Sequence, residues 1–319
     1  MVTGASTADL AVVLVDARKG MVEQSRRHAF IVTLLRVPHL VVAVNKMDLV
    51  DYARDAYESI REEFSAFATK LEVPDLTVIP ISALNGDNIV NRSESMPWYQ
   101  GPSLLHHLEN VHVASDRNLV DVRFPVQYVI RPQSQEHHDY RGYAGTVAGG
   151  VLKPGDEVVV LPSGFTTRIA GIDTEDGPVS EAFPPMSVTV RLEDNLDVSR
   201  GDMICRPHNA PVPTQDLDAM VCWMTDTPLV RGRQLALKHT TRSARTAVRE
   251  LRYRLDVNTL HRDESVEQLG LNDIGRVSLR TTAPLFVDAY RRNRTTGGFI
   301  LIDEATNNTV AAGMVVARD

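Results

Sequence analysis

Only two cysteines, Cys205 and Cys222, occur in the 319 residues, and neither has a partner at metal-ligand spacing. This excludes a disulfide scaffold and a zinc-ribbon type of site, and both read as reduced, buried thiols of a cytoplasmic protein. No apolar run approaches the roughly 20 residues that span a bilayer. The N-terminus lacks the basic, apolar and small-residue order of a secretion signal. No Ser/His/Asp or Cys/His set has the context of nucleophilic catalysis, so no catalytic residue and no metal ligand is assigned. Net charge is −7, which argues against a surface-wide nucleic-acid binder. The charge is uneven. Residues 1–112 carry 10 basic and 14 acidic side chains, 113–212 carry 9 and 14, and 213–319 carry 15 and 13, so the last third is basic. The length suggests two or three domains, and 43% hydrophobic residues suffice for real cores.

The most informative stretch is the apolar run Leu40 to Val44 leading into Asn45-Lys46-Met47-Asp48. Open α/β sheets bind ligands at the C-terminal tips of their strands. An acceptor-only carboxylate at such a tip, Asp48, can take both the N1 and N2 hydrogens of guanine, whereas adenine offers no such pair. Asn45 would fix the loop and reach the other base edge, and the methylene stem of Lys46 would lie on the ring face. A second strand, Leu76 to Ile81, ends in Ser82-Ala83-Leu84, where a backbone N–H can meet the base oxygen. Asn-Lys-x-Asp alone is equally a polar turn at a helix entry. Two such motifs at strand ends, in this order, favour base selection. The expected guanine-binding residues are Asn45, Lys46, Asp48, Ser82, Ala83 and Leu84.

Leu10 to Val15 is a third apolar run, of buried-strand type, stopping at Asp16. The stretch after it, through Gln24 and His28, resembles the translation-factor class of GTPases. A helix follows whose apolar positions Tyr57, Ile60, Phe64, Phe67 and Leu71 step by three and four, with Asp51 available as N-cap. Strands alternating with helices imply a parallel sheet. Beyond about residue 112 short alternating strands take over. They are expected at Phe124 to Ile130, Thr146 to Leu152, Glu157 to Leu161, Thr166 to Ile172, Ser187 to Leu192 and Met203 to Arg206, with a Lys153-Pro154-Gly155-Asp156 turn. After the proline-rich linker Pro207 to Pro213, further strands at Met220 to Met224, Gln234 to His239, Ala247 to Leu255, Gly275 to Leu279, Phe299 to Ile302 and Thr309 to Val316 suggest a second barrel. The expected fold is multidomain, α/β plus β: a partial P-loop-type GTPase domain over 1–112, then antiparallel β-barrels over 113–212 and 213–319. That plan resembles elongation factor Tu.

Longer blocks narrow the resemblance: His39 to Tyr52, Met96-Pro97-Trp98-Tyr99-Gln100-Gly101-Pro102, Arg141 to Gly145, Val198 to Asp202, Tyr253-Arg254 with Asp256 to Leu260, Gln268 to Arg276, and Asn293 to Asp303. They are similar to the GTPase subunit of bacterial sulfate adenylyltransferase and run through all three domains. General translation factors lack the Met-Pro-Trp-Tyr and Gln-Leu-Gly-Leu-Asn blocks. The resemblance implies a GTP-binding regulatory subunit, using GTP and Mg²⁺, that forms a heterodimer with a smaller adenylyl-transferring subunit. Together these make adenosine 5′-phosphosulfate and pyrophosphate from ATP and sulfate, with GTP hydrolysis here coupled to the transfer there. The family's phosphate-binding Gly-x-x-x-x-Gly-Lys-[Ser/Thr] occurs nowhere, and no Asp-x-x-Gly precedes the Asp16 strand. The chain is therefore expected to begin inside its GTPase domain, either because Met1 is an internal methionine or because it is a fragment, and to be inactive alone. Some relatives carry a fused adenylylsulfate kinase, which these residues do not contain.

Other conspicuous residues read more plainly. His106 and His107, with His112 nearby, point about 100° apart on a helix, poor geometry for chelation. His137-His138 reads as a loop. Arginines 231, 233, 242, 245, 249, 252, 254, 291, 292 and 294 form either a solvated barrel face or a docking surface, for which Arg291, Arg292 and Arg294 are the candidates. The alternative functions are an elongation-factor-like GTPase that delivers a charged RNA, and a non-catalytic interaction module.

Overall fold

A computed structural model describes residues 2–71, 73, 75–113, 118–132 and 140–317; His137-His138 lies outside them. The chain divides into two compact units, Met1–Asp116 with Asp256–His261, and Arg117–Leu255 with Arg262–Asp319.

In the first unit a helical turn, α1 (Val2–Ala5), precedes β1 (Leu10–Asp16), α2 (Glu23–Leu34), β2 (His39–Asn45), α3 (Arg54–Lys70), β3 (Asp75–Pro80) and α4 (Leu104–Asn110). The three strands form a parallel sheet in the order β1-β2-β3. Strand β2 is central, and its residues Leu40 to Val44 are all buried, as expected where both faces are covered. Strand β1 departs from the expected buried type. Val13 and Val15 are buried, while Val12 and Leu14 are 41% and 61% exposed. An edge strand with a single covered face shows this period of two. Helix α3 buries Tyr57, Ile60, Phe64 and Phe67, the stripe legible in its spacing. Asp51 does not cap it. Asp51 and Tyr52 both adopt left-handed backbone (φ 51° and 54°), and Ala53 takes the N-cap position without a side-chain bond.

The second unit holds two closed barrels. In the first, β4 (Arg123–Ile130), β5 (Gly142–Thr146), β6 (Glu157–Leu161), β7 (Phe165–Thr174), β9 (Ser187–Leu192) and β10 (Met203–Cys205) form the ring β6-β10-β4-β5-β9-β7, closed by β6 on β7, with β8 (Gly177–Pro178) appended to β7. The second ring contains β11 (Thr214–Trp223), β13 (Gln234–His239), β14 (Arg242–Leu255), β17 (Ile274–Leu285), β18 (Gly298–Ile302) and β19 (Thr309–Val315). Its order is β13-β18-β19-β11-β17-β14, closed by β13 on β14, with β15 (Arg262–Asp263) on β14; β12 (Leu229–Val230) pairs with β16 (Gln268–Leu269). Closure leaves the rings without free edges. The expected strand at Thr146 to Leu152 is displaced. Strand β5 ends at Thr146, and the next residues make only isolated bridges at Gly149 and Leu152. Gly150 has φ +70°, and a Cβ there would lie 2.5 Å from the Val122 backbone, so a side-chain-bearing strand cannot continue.

Within this unit the Arg123 guanidinium donates to both carboxylate oxygens of Asp288, at 2.8 and 2.9 Å, and both side chains are almost fully buried. Around them Phe286 packs with Val159, Leu161, Met203 and Cys205. Burial pushes the Cys205 and Cys222 thiols up to about 12, so they behave as small apolar core residues. No helix among the described residues is long and apolar enough to cross a membrane.

Candidate functional site

Parallel register places the tips of β1 and β2 side by side, with Asp16 opposite Asn45. The ladder continues past β3 as Ile81 N–H donates to the Val44 carbonyl at 2.8 Å and Met47 N–H to the Ile81 carbonyl at 3.2 Å. The two expected base-selecting loops are thus stitched together by main chain. Met47, fully buried, anchors the first.

The Asn45 side-chain oxygen accepts from Lys46 N–H at 2.7 Å and from Ala83 N–H at 3.0 Å. One short side chain therefore spans both loops, and of the second loop's backbone N–H groups that of Ala83 is directed at Asn45. Asp48 accepts from the Ser82 hydroxyl at 2.6 Å. A carboxylate has about four lone-pair sites, so this bond leaves it acceptors to spare. Ser82 is fully buried, Asn45 and Asp48 are half-buried, and Lys46, Ala83 and Leu84 are exposed. Hydrogen bonds and chain adjacency bring Asn45, Lys46, Asp48, Ser82 and Ala83 together, and Leu84, next in sequence, is 86% exposed.

Asp16 was not singled out as a site residue from sequence. It receives the Lys46 ammonium at 2.9 Å and a forked pair from Arg18 at 2.7 and 3.0 Å. The Arg18 guanidinium, then the Lys46 ammonium, holds its carboxyl well below the usual range. Lys46 is itself left-handed (φ 67°), a conformation that costs free energy in a non-glycine residue and here turns its stem across the strand tips. The only sequence signal was an acidic residue ending a strand parallel to β2. Beside Asp16, a cleft of about 680 Å³ is lined by Val12, Leu14, Gln24 and His28. Gln24 and His28 are bonded to one another at 2.7 Å across one turn of α2.

The chemistry of Asn45 and Asp48 fits a guanine base: one acceptor-rich carboxylate and one amide on a partly exposed rim. Among the described residues no group of three His, Cys, Asp or Glu could hold a metal; a Mg²⁺ ion bound with a nucleotide takes one or two protein oxygens together with phosphate oxygens and does not require such a group. His106 is exposed, and its ring lies 3.3 Å from the Asn110 amide.

The three candidate docking arginines separate. Arg291 is exposed. Arg292 makes a two-bonded pair with buried Asp121, at 2.5 and 2.7 Å. Arg294 begins a short helical turn (Arg294–Gly297) capped by Asn293, whose side chain accepts from the Thr295 and Thr296 N–H groups. Several arginines of the basic third meet carboxylates at 2.6–3.2 Å: Arg233 with Asp303, Arg245 with Glu304, Arg254 with Asp263, Arg276 with Asp218 and Arg280 with Asp216.

Comparison with known proteins agrees with this architecture. The elongation factor Tu GTP binding domain family matches residues 1–122, and the GTP-eEF1A C-terminal domain-like family matches residues 216–316. The "Bifunctional enzyme CysN/CysC" of Mycobacterium tuberculosis is 63% identical over 317 residues, covering 99% of this chain and 52% of that protein. "Sulfate adenylyltransferase subunit 1" of Bacteroides fragilis is 49% identical over 318 residues, covering 100% of this chain and 66% of that protein. The chain thus spans about half to two thirds of the length of these relatives. Among solved structures, sup35 complexed with GMPPNP is similar at TM-score 0.56 and 25% identity, covering 98% of this chain and 79% of that one. The chain belongs to the elongation-factor-Tu-like GTPases and, among them, to the family of the sulfate adenylyltransferase large subunit.

Proposed function

We propose that this chain is the base-selecting and barrel portion of the GTP-binding regulatory subunit of a cytoplasmic sulfate adenylyltransferase. In this reading Asp48 accepts the N1 and N2 hydrogens of guanine, Asn45 holds the two loops and meets the other base edge, and Lys46 covers the ring. Ser82 orients Asp48, while Ala83 and Leu84 close the rim. Hydrolysis of GTP with Mg²⁺, where a phosphate-binding loop completes the site, is coupled to adenylyl transfer from ATP to sulfate in a smaller partner subunit, giving adenosine 5′-phosphosulfate and pyrophosphate. Switching of this kind acts through segments that the γ-phosphate and Mg²⁺ order. Arg291 is the best placed of the three arginines to meet an acidic partner, since Arg292 is already engaged by Asp121.

The observation that carries the reading is the Asn45 side chain bonded to both loops beside Asp48, itself set by Ser82. Asp48→Asn tests it. The carboxylate meets two donors on guanine, whereas an amide offers a donor to the extra oxygen of xanthine. Charge-assisted bonds are worth roughly 1.5–3 kcal/mol each, so GDP affinity should fall at least about tenfold while XDP affinity rises. Shift titration by NMR with both nucleotides reads the weak binding that base contacts alone supply. An unchanged preference for GDP would remove Asp48 from the site.

A further inference from the structure

The Met96 to Pro102 block is not explained by guanine contacts. Its Trp98 indole N–H donates to the Tyr52 carbonyl at 3.1 Å, four residues beyond Asp48. The Tyr52 hydroxyl donates to Asp87 at 2.9 Å, five residues beyond Ser82, and the Asn85 amide donates back to that hydroxyl at 3.1 Å. Asp87 takes a second hydroxyl from Ser93 at 2.6 Å, and its carbonyl accepts from Ser82 N–H at 3.2 Å. Ser82 in turn holds Asp48. A closed circuit therefore runs Asp48, Ser82, Asp87, Tyr52 and back through the single 3₁₀ turn Met47–Val50. Tyr52 completes it in a left-handed backbone, a conformation that persists only where surrounding contacts over-determine it. Trp98 ties the circuit to α3 and β3, its ring 5.3 Å from that of Tyr57, whose hydroxyl donates to the Val78 carbonyl of β3 at 3.0 Å.

We propose that Asp87 and Tyr52 are positioning residues for base selection: they clamp the far ends of both loops so that Ser82 fixes the Asp48 carboxylate, and the Met96 to Pro102 block braces the clamp. The proposal rests on the guanine reading above. Asp87 and Tyr52 touch no base; their effect passes through Ser82 and the 3₁₀ turn. A loosened Asp48 should keep its charge but lose the geometry that pairs N1 and N2 together, so discrimination falls more than affinity.

The test uses the 319-residue chain with Tyr52→Phe, which removes one oxygen, and Asp87→Ala. GDP and IDP are the probes, since inosine lacks only the N2 amine. NMR titration gives the affinity ratio, and hydrogen exchange at Lys46 and Ala83 reads loop opening. Each variant should narrow the GDP-to-IDP ratio by at least about threefold, near the worth of one net hydrogen bond, with faster exchange at the loop amides. An unaltered ratio in both variants, whether or not exchange rises, would overturn the clamp and leave at most a supporting role. A wild-type chain that does not distinguish GDP from IDP would instead overturn the guanine reading, and the clamp with it.

Discussion

At the scale of residues, the second unit depends on a few charges held out of water. Asp121 is 4% exposed and accepts from Arg292, Asn118 and Asn209, and the Arg292 guanidinium above all holds its carboxyl well below the usual carboxylate range. A folded-state pKa below the unfolded one stabilises the native state above the unfolded value, near 4, and that contribution is lost as pH falls below it. Asp121→Asn should therefore cost about 1–2 kcal/mol at pH 7, at the low end for charge-assisted bonds because Arg292 is more than half exposed. The gap to wild type should shrink on acidification below about pH 4, as followed by urea melts. A gap independent of pH would place the effect elsewhere. The guanine contacts proposed for Asp48 and Asn45 come from the sequence, because guanine chemistry demands an amide and a carboxylate at fixed spacing after an apolar run. The placement of Asp16, Tyr52 and Asp87 beside these loops was not legible, because it arises from parallel register and from bonds between residues tens of positions apart.

Among elements, the legible ones were those whose apolar period is complete within the segment itself. Helix α3 carries its buried stripe at Tyr57, Ile60, Phe64 and Phe67, and β9 and β13 fall at the expected residues. The misread ones depend on pairing and close approach that the apolar period does not show. Strand β14 begins at Arg242 rather than Ala247 because its first residues pair with β13, and the strand expected at Thr146 to Leu152 fails where Gly150 meets the Val122 backbone. The closing contact between strand β4 and the segment after β17 is the buried Arg123–Asp288 pair, to which the Thr296 hydroxyl also donates at 2.6 Å. Removing one member leaves a charge buried without its partner. Asp288→Ala should cost about 3–5 kcal/mol in urea-induced unfolding. A loss under about 1 kcal/mol would mean that water or another side chain replaces the carboxylate.

For the whole molecule, the sequence carries the two proposed base-selecting loops without a phosphate-binding motif, and of its two closed barrels only the second is basic, with several of its arginines paired to its own carboxylates. In phosphoryl transfer, positioning by the phosphate loop and its metal supplies most of the rate. A polypeptide of these 319 residues should release no phosphate from GTP above background, and hydrolysis at the pace of complete relatives would refute that expectation. The arginine-to-carboxylate pairs of the last barrel reduce the free charge available to a nucleic acid, which favours a protein partner over RNA. Charge complementarity at a protein interface mainly raises the association rate and is screened by salt. The most direct measurement is capture: the immobilised chain is offered the adenylyl-transferring subunit of a sulfate adenylyltransferase and, separately, radiolabelled tRNA, at low ionic strength and at about 0.3 M salt. Retention of the adenylyl-transferring subunit, weaker at the higher salt and weaker still with Arg291→Ala, is the predicted result, whereas retention of tRNA without that subunit would contradict it.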